Sequence, residues 1–119
     1  MNYNQKVGRF GEELAKNYLI RRGYKIIGLN IRQSYQELDI VARQGGLVVF
    51  VEVKTRIGHL YGPAENAFVY SKLKRMTKGM EMFMRANKIS ADNIRADLIT
   101  VDVNKSKQTA KIKHYQDII

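Results

Sequence analysis

Between positions 4 and 22 the apolar residues Val7, Phe10, Leu14 and Tyr18 return every three or four places. That is the repeat of a helix turning one face to a core, and Gly23 supplies its stop. The period then changes. Residues 24–32 ("YKIIGLNIR") and 37–43 ("ELDIVAR") are β-branched and half alternating, and "QGG" at 44–46 separates the second from "LVVFVEVKT" at 47–55. Strands two and three should therefore close a hairpin. The third is apolar on both faces, which marks a central strand. Residues 56–66, with Gly58, Gly62 and Pro63, read as a loop leaving its end. Ser71 can cap a second helix running to position 87, with Leu73, Met76, Met80, Phe83 and Met84 on one face and Lys74, Arg75, Lys78 and Arg85 on the other. The methionine-rich face reads as core rather than as a cofactor box. Residues 93–103 and 110–116 form two further strands joined by the polar turn "NKSKQT". The order αβββαββ contains no repeat, low-complexity segment or linker.

Composition narrows this picture. A chain of 119 residues, 45% hydrophobic, can build one core, so residues 1–119 are expected to form a single domain. No run approaches the roughly 18 consecutive apolar residues of a membrane span, and "MNYNQKVGRF" lacks the apolar region of a secretory signal, so the cytoplasm is the expected compartment. There is no cysteine, which removes disulfides and thiolate metal sites and leaves oxygen ligands or the two histidines. That favours a hard ion, Mg²⁺ or Mn²⁺. Lys and Arg number 21 against 11 Asp and Glu, a net charge of +10 that attracts polyanions and suits a nucleic-acid partner.

The chemistry gathers at the end of the central strand. "VFVEVKTR" (49–56) finishes an apolar run with Glu52 and Lys54, which point to one face because they are two apart. A buried charge needs compensation. Lys54 neutralising Glu52 in a plain ion pair is one reading. A hairpin pairing symmetrically about Gly45 sets position 39 opposite 51 and so brings Asp39 within about one residue of Glu52. Two carboxylates and one ammonium then leave net negative charge on a strongly basic chain, and a divalent cation would relieve it. Phosphodiester hydrolysis uses such parts: carboxylates to hold a metal, and an ammonium to steady charge on the phosphoryl group. In "GRFGEELA" (8–15), Glu12 lies on the helix flank with the small residues Gly8 and Ala15, so it either reaches the cluster or stands as a solvated first-turn acid favoured by the helix dipole, whereas Glu13 points to solvent. Arg56 stands where a bidentate phosphate contact would be useful, or is simply an arginine on the rim. His59, alone in the following loop, is left outside the site.

"GRFGEELA", "NIRQSYQELDIVA", "VVFVEVKTR", "YGPAENA" and "RADLITVDV", in this order over nearly the whole chain, resemble the bacterial YraN-type (UPF0102) family. Those small proteins are themselves similar to Holliday-junction resolvases of the PD-(D/E)xK nuclease superfamily. The resemblance implies an α/β fold with a restriction-endonuclease-like αβββαβ core, a central mixed sheet flanked by helices. It also implies a Mg²⁺- or Mn²⁺-dependent endodeoxyribonuclease for branched or structured DNA. By motif, Glu12 matches the first-helix acid, Asp39 the strand-two acid, and Glu52 and Lys54 the acid and lysine of ExK, with the three acids as metal ligands. Glu37 matches the glutamate of the family's Gly-Glu-Ile/Leu-Asp segment, whose glycine is here Gln36, expected to be an ordinary solvent-facing strand residue. Arg56, Lys74, Arg75, Lys78 and Arg85 are the expected nucleic-acid contacts, with DNA ahead of RNA. Symmetric cleavage of a four-way junction would call for a homodimer. Two other functions compete: a nucleic-acid-binding module that keeps the nuclease fold without turnover, and an RNA-associated protein whose acids are only structural.

Overall fold

The computed structural model describes residues 1–58 and 70–119, with the backbone alone at 70 and 71. Helix α1 (Tyr3–Arg21) opens with a capping box in which Asn2 Oδ1 accepts from the Gln5 amide at 2.8 Å while Gln5 Oε1 accepts from the Asn2 amide at 3.0 Å. It ends at Gly23, whose φ of +90° most side chains would resist. Strands β1 (Lys25–Gln33), β2 (Gln36–Gln44) and β3 (Leu47–Ile57) follow as a meander. Helix α2 (Tyr70–Asn87) crosses over to β4 (Ile94–Asn104), and β5 (Thr109–Tyr115) returns beside it. The five strands lie in the order β1-β2-β3-β4-β5. Only β3 and β4 are parallel, the geometry that a helical crossover permits. This is the mixed α/β sheet flanked by helices expected of a restriction-endonuclease-like core.

The helices cover opposite faces. Ala15 and Leu19 of α1 pack on Ile40, Val49, Val51, Val53, Ile99 and Val101. Met76, Met80 and Phe83 of α2 pack on Leu38, Val41, Val48, Phe50 and Ala96, with Phe50 and Phe83 edge to face at 5.7 Å. β3 is buried on both faces, as a central strand must be. A buried network ties β4 to β5 and to the tail: Asp97, fully enclosed, accepts from Arg95 Nε at 2.9 Å and Nη2 at 2.8 Å and from the Asp117 amide at 3.0 Å, with His114 Nε2 at 2.7 Å. Among the described residues no helix is long and apolar enough to cross a membrane.

Several expectations need adjustment. Phe10, read as core-facing, is half exposed, because the line of closest contact runs through Gly11, Ala15 and Leu19, one position round the helix from the largest side chains. β3 continues to Ile57, so positions 56 and 57 are strand rather than loop. α2 starts at Tyr70, which places Ser71 inside its first turn instead of ahead of it. His59 and the 61–67 segment lie outside the described residues.

Candidate active site

Each carboxylate reaches the site for a local reason. α1 approaches β3 through Gly11, where a Cβ would fall on Thr55 Oγ1 and within 2.8 Å of its Cβ. Gly8, expected to allow this approach, has open space around it. The close contact at Gly11 sets the neighbouring Glu12 over the sheet edge, half-buried, where Oε1 accepts from Asn30 Nδ2 at 2.8 Å and from Arg9 Nη1 at 3.1 Å. Glu13 is exposed and paired with Lys16, as its position on the helix required. Asn30 adopts φ +48° within β1, a left-handed conformation that asparagine tolerates better than most residues, and its amide also lies 3.5 Å from Glu37 Oε1.

The β2–β3 hairpin pairs Gln44 with Leu47 and Ile40 with Val51, one residue away from the symmetric register expected about Gly45. The turn holds two residues, Gly45 and Gly46, with Gly45 at φ +58°. The next positions outward are Asp39 and Glu52, just beyond the last backbone pair. Backbone pairing stops there, and Leu38 and Val41, three apart, both pack beneath α2. Strict alternation forbids this, so β2 bends at Asp39. The ladder bond lost at the bend is replaced by the side chain: Val53 N donates to Asp39 Oδ2 at 2.9 Å.

These contacts crowd like charges. Carboxylate oxygens of Glu12, Glu37 and Asp39 lie within 4.8 Å of one another, and Asp39 also hydrogen-bonds the carboxyl of Glu52, a side chain only 6% exposed. Burial, then the charge of Glu52, and then that of Glu12 raise Asp39 from 3.8 to about 8, against the opposing pull of the Val53 amide. Without a cation among these oxygens, ionising Asp39 is costly. Clustered oxygens of this kind form a donor set that can hold a hard divalent ion, and such an ion would relieve the crowding.

The cationic side is built from two elements. Lys54 is half-buried on β3 beside Glu52, yet the ion-pair partner of Glu52 among the described residues is Lys72, whose Nζ lies 2.8 Å from Oε1. Burial, followed by a hydrogen bond from Lys72 and its charge, holds Lys54 below the usual lysine range. Burial acts against the Lys72 ammonium too, but the hydrogen bond and charge of Glu52 outweigh it and keep its pKa above the usual value. An open cavity of about 370 Å³ is lined by Tyr35, Gln36, Glu37, Asp39, Glu52, Lys72, Arg75 and Met76. A larger groove of about 760 Å³, between the first half of α1 and the β4–β5 turn, contains none of these carboxylates.

Glu12, Asp39, Glu52 and Lys54 thus converge as the spacing suggested. The tightest acidic trio nevertheless contains Glu37 in place of Glu52, which is turned to Lys72. Gln36 is half-buried and lines the cavity, its Cβ close to Gly79 of α2, and so is not an ordinary solvent-facing residue. The expected phosphate contacts divide: Arg75 lines the site cavity, Lys74 and Lys78 line a separate groove with Leu73, and Arg85 is exposed in the last turn of α2. Arg56 is half-buried in register with Asp102 of β4. Asn30 and Lys72 escaped notice in the sequence. Asn30 left one faint signal, a lone asparagine in a β-branched run, and Lys72 looked like one more lysine on a basic helix.

Comparison with known proteins gives the chain's family. The model of "Uncharacterised protein family UPF0102" matches residues 11–101, a span containing every carboxylate of the site. The chain is similar to a UPF0102 protein of Clostridium kluyveri, 34% identical over 98% of this chain and 95% of that one. It is also similar to UPF0102 proteins of Alkaliphilus oremlandii (36% identical, 96% and 97% covered) and Rhodococcus opacus (35% identical, 98% and 98% covered). With its relatives matched along nearly their full length, the chain belongs to the UPF0102 family.

Proposed function

We propose that this protein is a cytoplasmic, divalent-metal-dependent endonuclease acting on branched or otherwise structured DNA. One observation carries the proposal: four carboxyl groups from α1, β2 and β3 crowd together beside Lys54 and Lys72, and burial with the charges of Glu52 and Glu12 pushes Asp39 well above the usual carboxylate range. A domain gains no stability from forcing acids together, and their placement makes sense if they have a cation to hold. Asp39, Glu12 and Glu52, joined by Glu37, are the groups that would hold Mg²⁺ or Mn²⁺. When bound, that ion supplies Lewis-acid polarisation of the phosphoryl group and a more acidic water.

The chain's own residues carry the other tasks. Asn30 orients Glu12, and the Val53 amide fixes Asp39. Lys54 faces the phosphoryl oxygens, where an ammonium stabilises charge that builds in the transition state. Arg75 and Arg56 bind flanking phosphates, and Lys74, Lys78 and Arg85 extend the basic surface along α2. A two-fold dimer would present two such sites to a junction.

A specific observation supports a second reading. Lys72 Nζ lies 2.8 Å from Glu52 Oε1 and neutralises it from within the chain, so a nucleic-acid-binding module whose acids are paired internally is self-consistent. The two readings separate in a cleavage screen over branched and linear DNA and RNA with Mg²⁺, Mn²⁺ or EDTA, run beside Lys54→Ala. Metal-dependent cutting of branched DNA by the parent and its loss in the variant support the nuclease. Binding without cutting under every condition supports the module.

A further inference from the structure

We propose that Lys72 is a second phosphate-binding ammonium of the site, parked on Glu52 until a divalent cation takes over that carboxylate. The proposal rests on the nuclease reading and assigns α2 a part in it. Two features make the Lys72–Glu52 pair an arrangement for exchange. First, the partners differ in freedom: the Lys72 side chain is 30% exposed and Glu52 6%, so the ammonium can swing into the cavity while the carboxylate stays where it is. Second, the cavity it would swing into already presents another cation, Arg75, beside the carboxylates. Lys72 and Arg75 are three apart on α2, hence on one side of the helix, and both line the cavity that contains Asp39 and Glu37. Lys54 on β3 stands near enough for the Lys72 charge to act on it.

A purely structural role explains less. A partly buried ion pair contributes little net stability over an apolar pair of the same size, because desolvation offsets the attraction. Among the described residues α2 packs through Met76, Met80 and Phe83, and those contacts do not require a lysine at its first turn. The ammonium acts as an internal stand-in for the cation. It keeps Glu52 neutralised while the site is empty, and it is released toward the phosphodiester when metal and substrate arrive together.

The test compares the full-length parent with Lys72→Met and Lys72→Arg. Mn²⁺ and Mg²⁺ are titrated calorimetrically into EDTA-stripped protein without DNA. Binding of a junction oligonucleotide is then measured in Ca²⁺ at several salt concentrations. Lys72→Met removes the competitor, so Mn²⁺ should bind about tenfold tighter, equivalent to roughly 1.4 kcal/mol. Junction binding should weaken, with the salt slope reduced by about one. Lys72→Arg keeps the charge and should match the parent in metal affinity to within about threefold, which also provides a test if the methionine variant does not fold. Unchanged or weaker Mn²⁺ binding by Lys72→Met, or equal tightening in Lys72→Arg, overturns the proposal and leaves the nuclease reading in place. A parent that takes up neither ion overturns both.

Discussion

Replacing Asp39 by Asn tests whether the acidic cluster is a strained, metal-awaiting site or a set of ordinary structural charges. Asparagine has the same shape and can still accept from the Val53 amide through its carbonyl oxygen. What it removes is the cost of ionising Asp39 next to Glu52 and Glu12. A carboxyl whose pKa is higher in the folded than in the unfolded chain binds its proton more tightly when folded. Its stabilising contribution is therefore complete below about pH 3.8 and is lost as pH rises through about 8. Four pH units at about 1.4 kcal/mol each set a ceiling near 6 kcal/mol. Water reaching the partly open carboxyl screens the repulsion, so roughly 3 kcal/mol is the expected loss in the metal-free parent between pH 4.5 and 8.5. Asp39→Asn should lack this decline. Thermal melts in EDTA should show the variant near parental at pH 4.5 and roughly 10 °C more stable at pH 8.5. Saturating Mg²⁺ should raise the parent's midpoint and leave the variant's almost unmoved. A variant that melts below the parent at pH 8.5, or that follows the same pH curve, would refute the reasoning: Asp39 would then be an ionised partner in a structural salt bridge.

Lys54→Ala should keep metal and substrate binding while slowing single-turnover cleavage by roughly 10²- to 10³-fold at saturating Mg²⁺; near-parental rates would remove Lys54 from the chemistry. Replacing Arg75 or Lys78 by Ala should each lower the slope of log affinity against log salt by about one, and an unchanged slope assigns that residue to solubility alone. Gly11→Ala forces α1 off Thr55 and should cost about 1–3 kcal/mol, with weakened Mn²⁺ binding because Glu12 moves with the helix; a stable variant with parental metal affinity would show that α1 can re-seat. Asp97→Asn strips the charge that Arg95 and His114 enclose and should cost about 3–5 kcal/mol. Burial pushes Asp97 upward, but the hydrogen bonds from His114 and Arg95 win and hold it below the usual carboxylate range. Its contribution is thus present above about pH 3.8 and lost as pH falls through the lower folded value, so the variant should lose the acid limb of the parent's stability curve.

The order of elements, the central place of β3 and the nomination of Glu12, Asp39, Glu52 and Lys54 were legible in the sequence because each rests on local information. Periodicity distinguishes helix from strand, and a two-residue offset fixes which side chains share a face. "QGG" announced a hairpin, and the run "LVVFVEV" could only be a strand covered on both sides. The one-residue register, and with it the placing of Asp39 beside Glu52, depended on how the turn closed at Gly45 and Gly46 and on the bend that lets Asp39 take the Val53 amide. Three further features were decided by tertiary structure alone: the close passage of α1 at Gly11 rather than Gly8, the amide of Asn30 reaching Glu12, and Lys72 crossing to Glu52 from a helix 20 residues downstream. The same holds for the enclosed Asp97, where neighbouring Arg95 is joined by His114 from the next strand, 17 positions along the chain. The physical reason is common to all of them. Propensity and patterning act over a few residues, whereas the partner of a buried charge is chosen by which elements pack together, and in a basic chain many lysines are available to a single glutamate until the fold brings one of them within 3 Å.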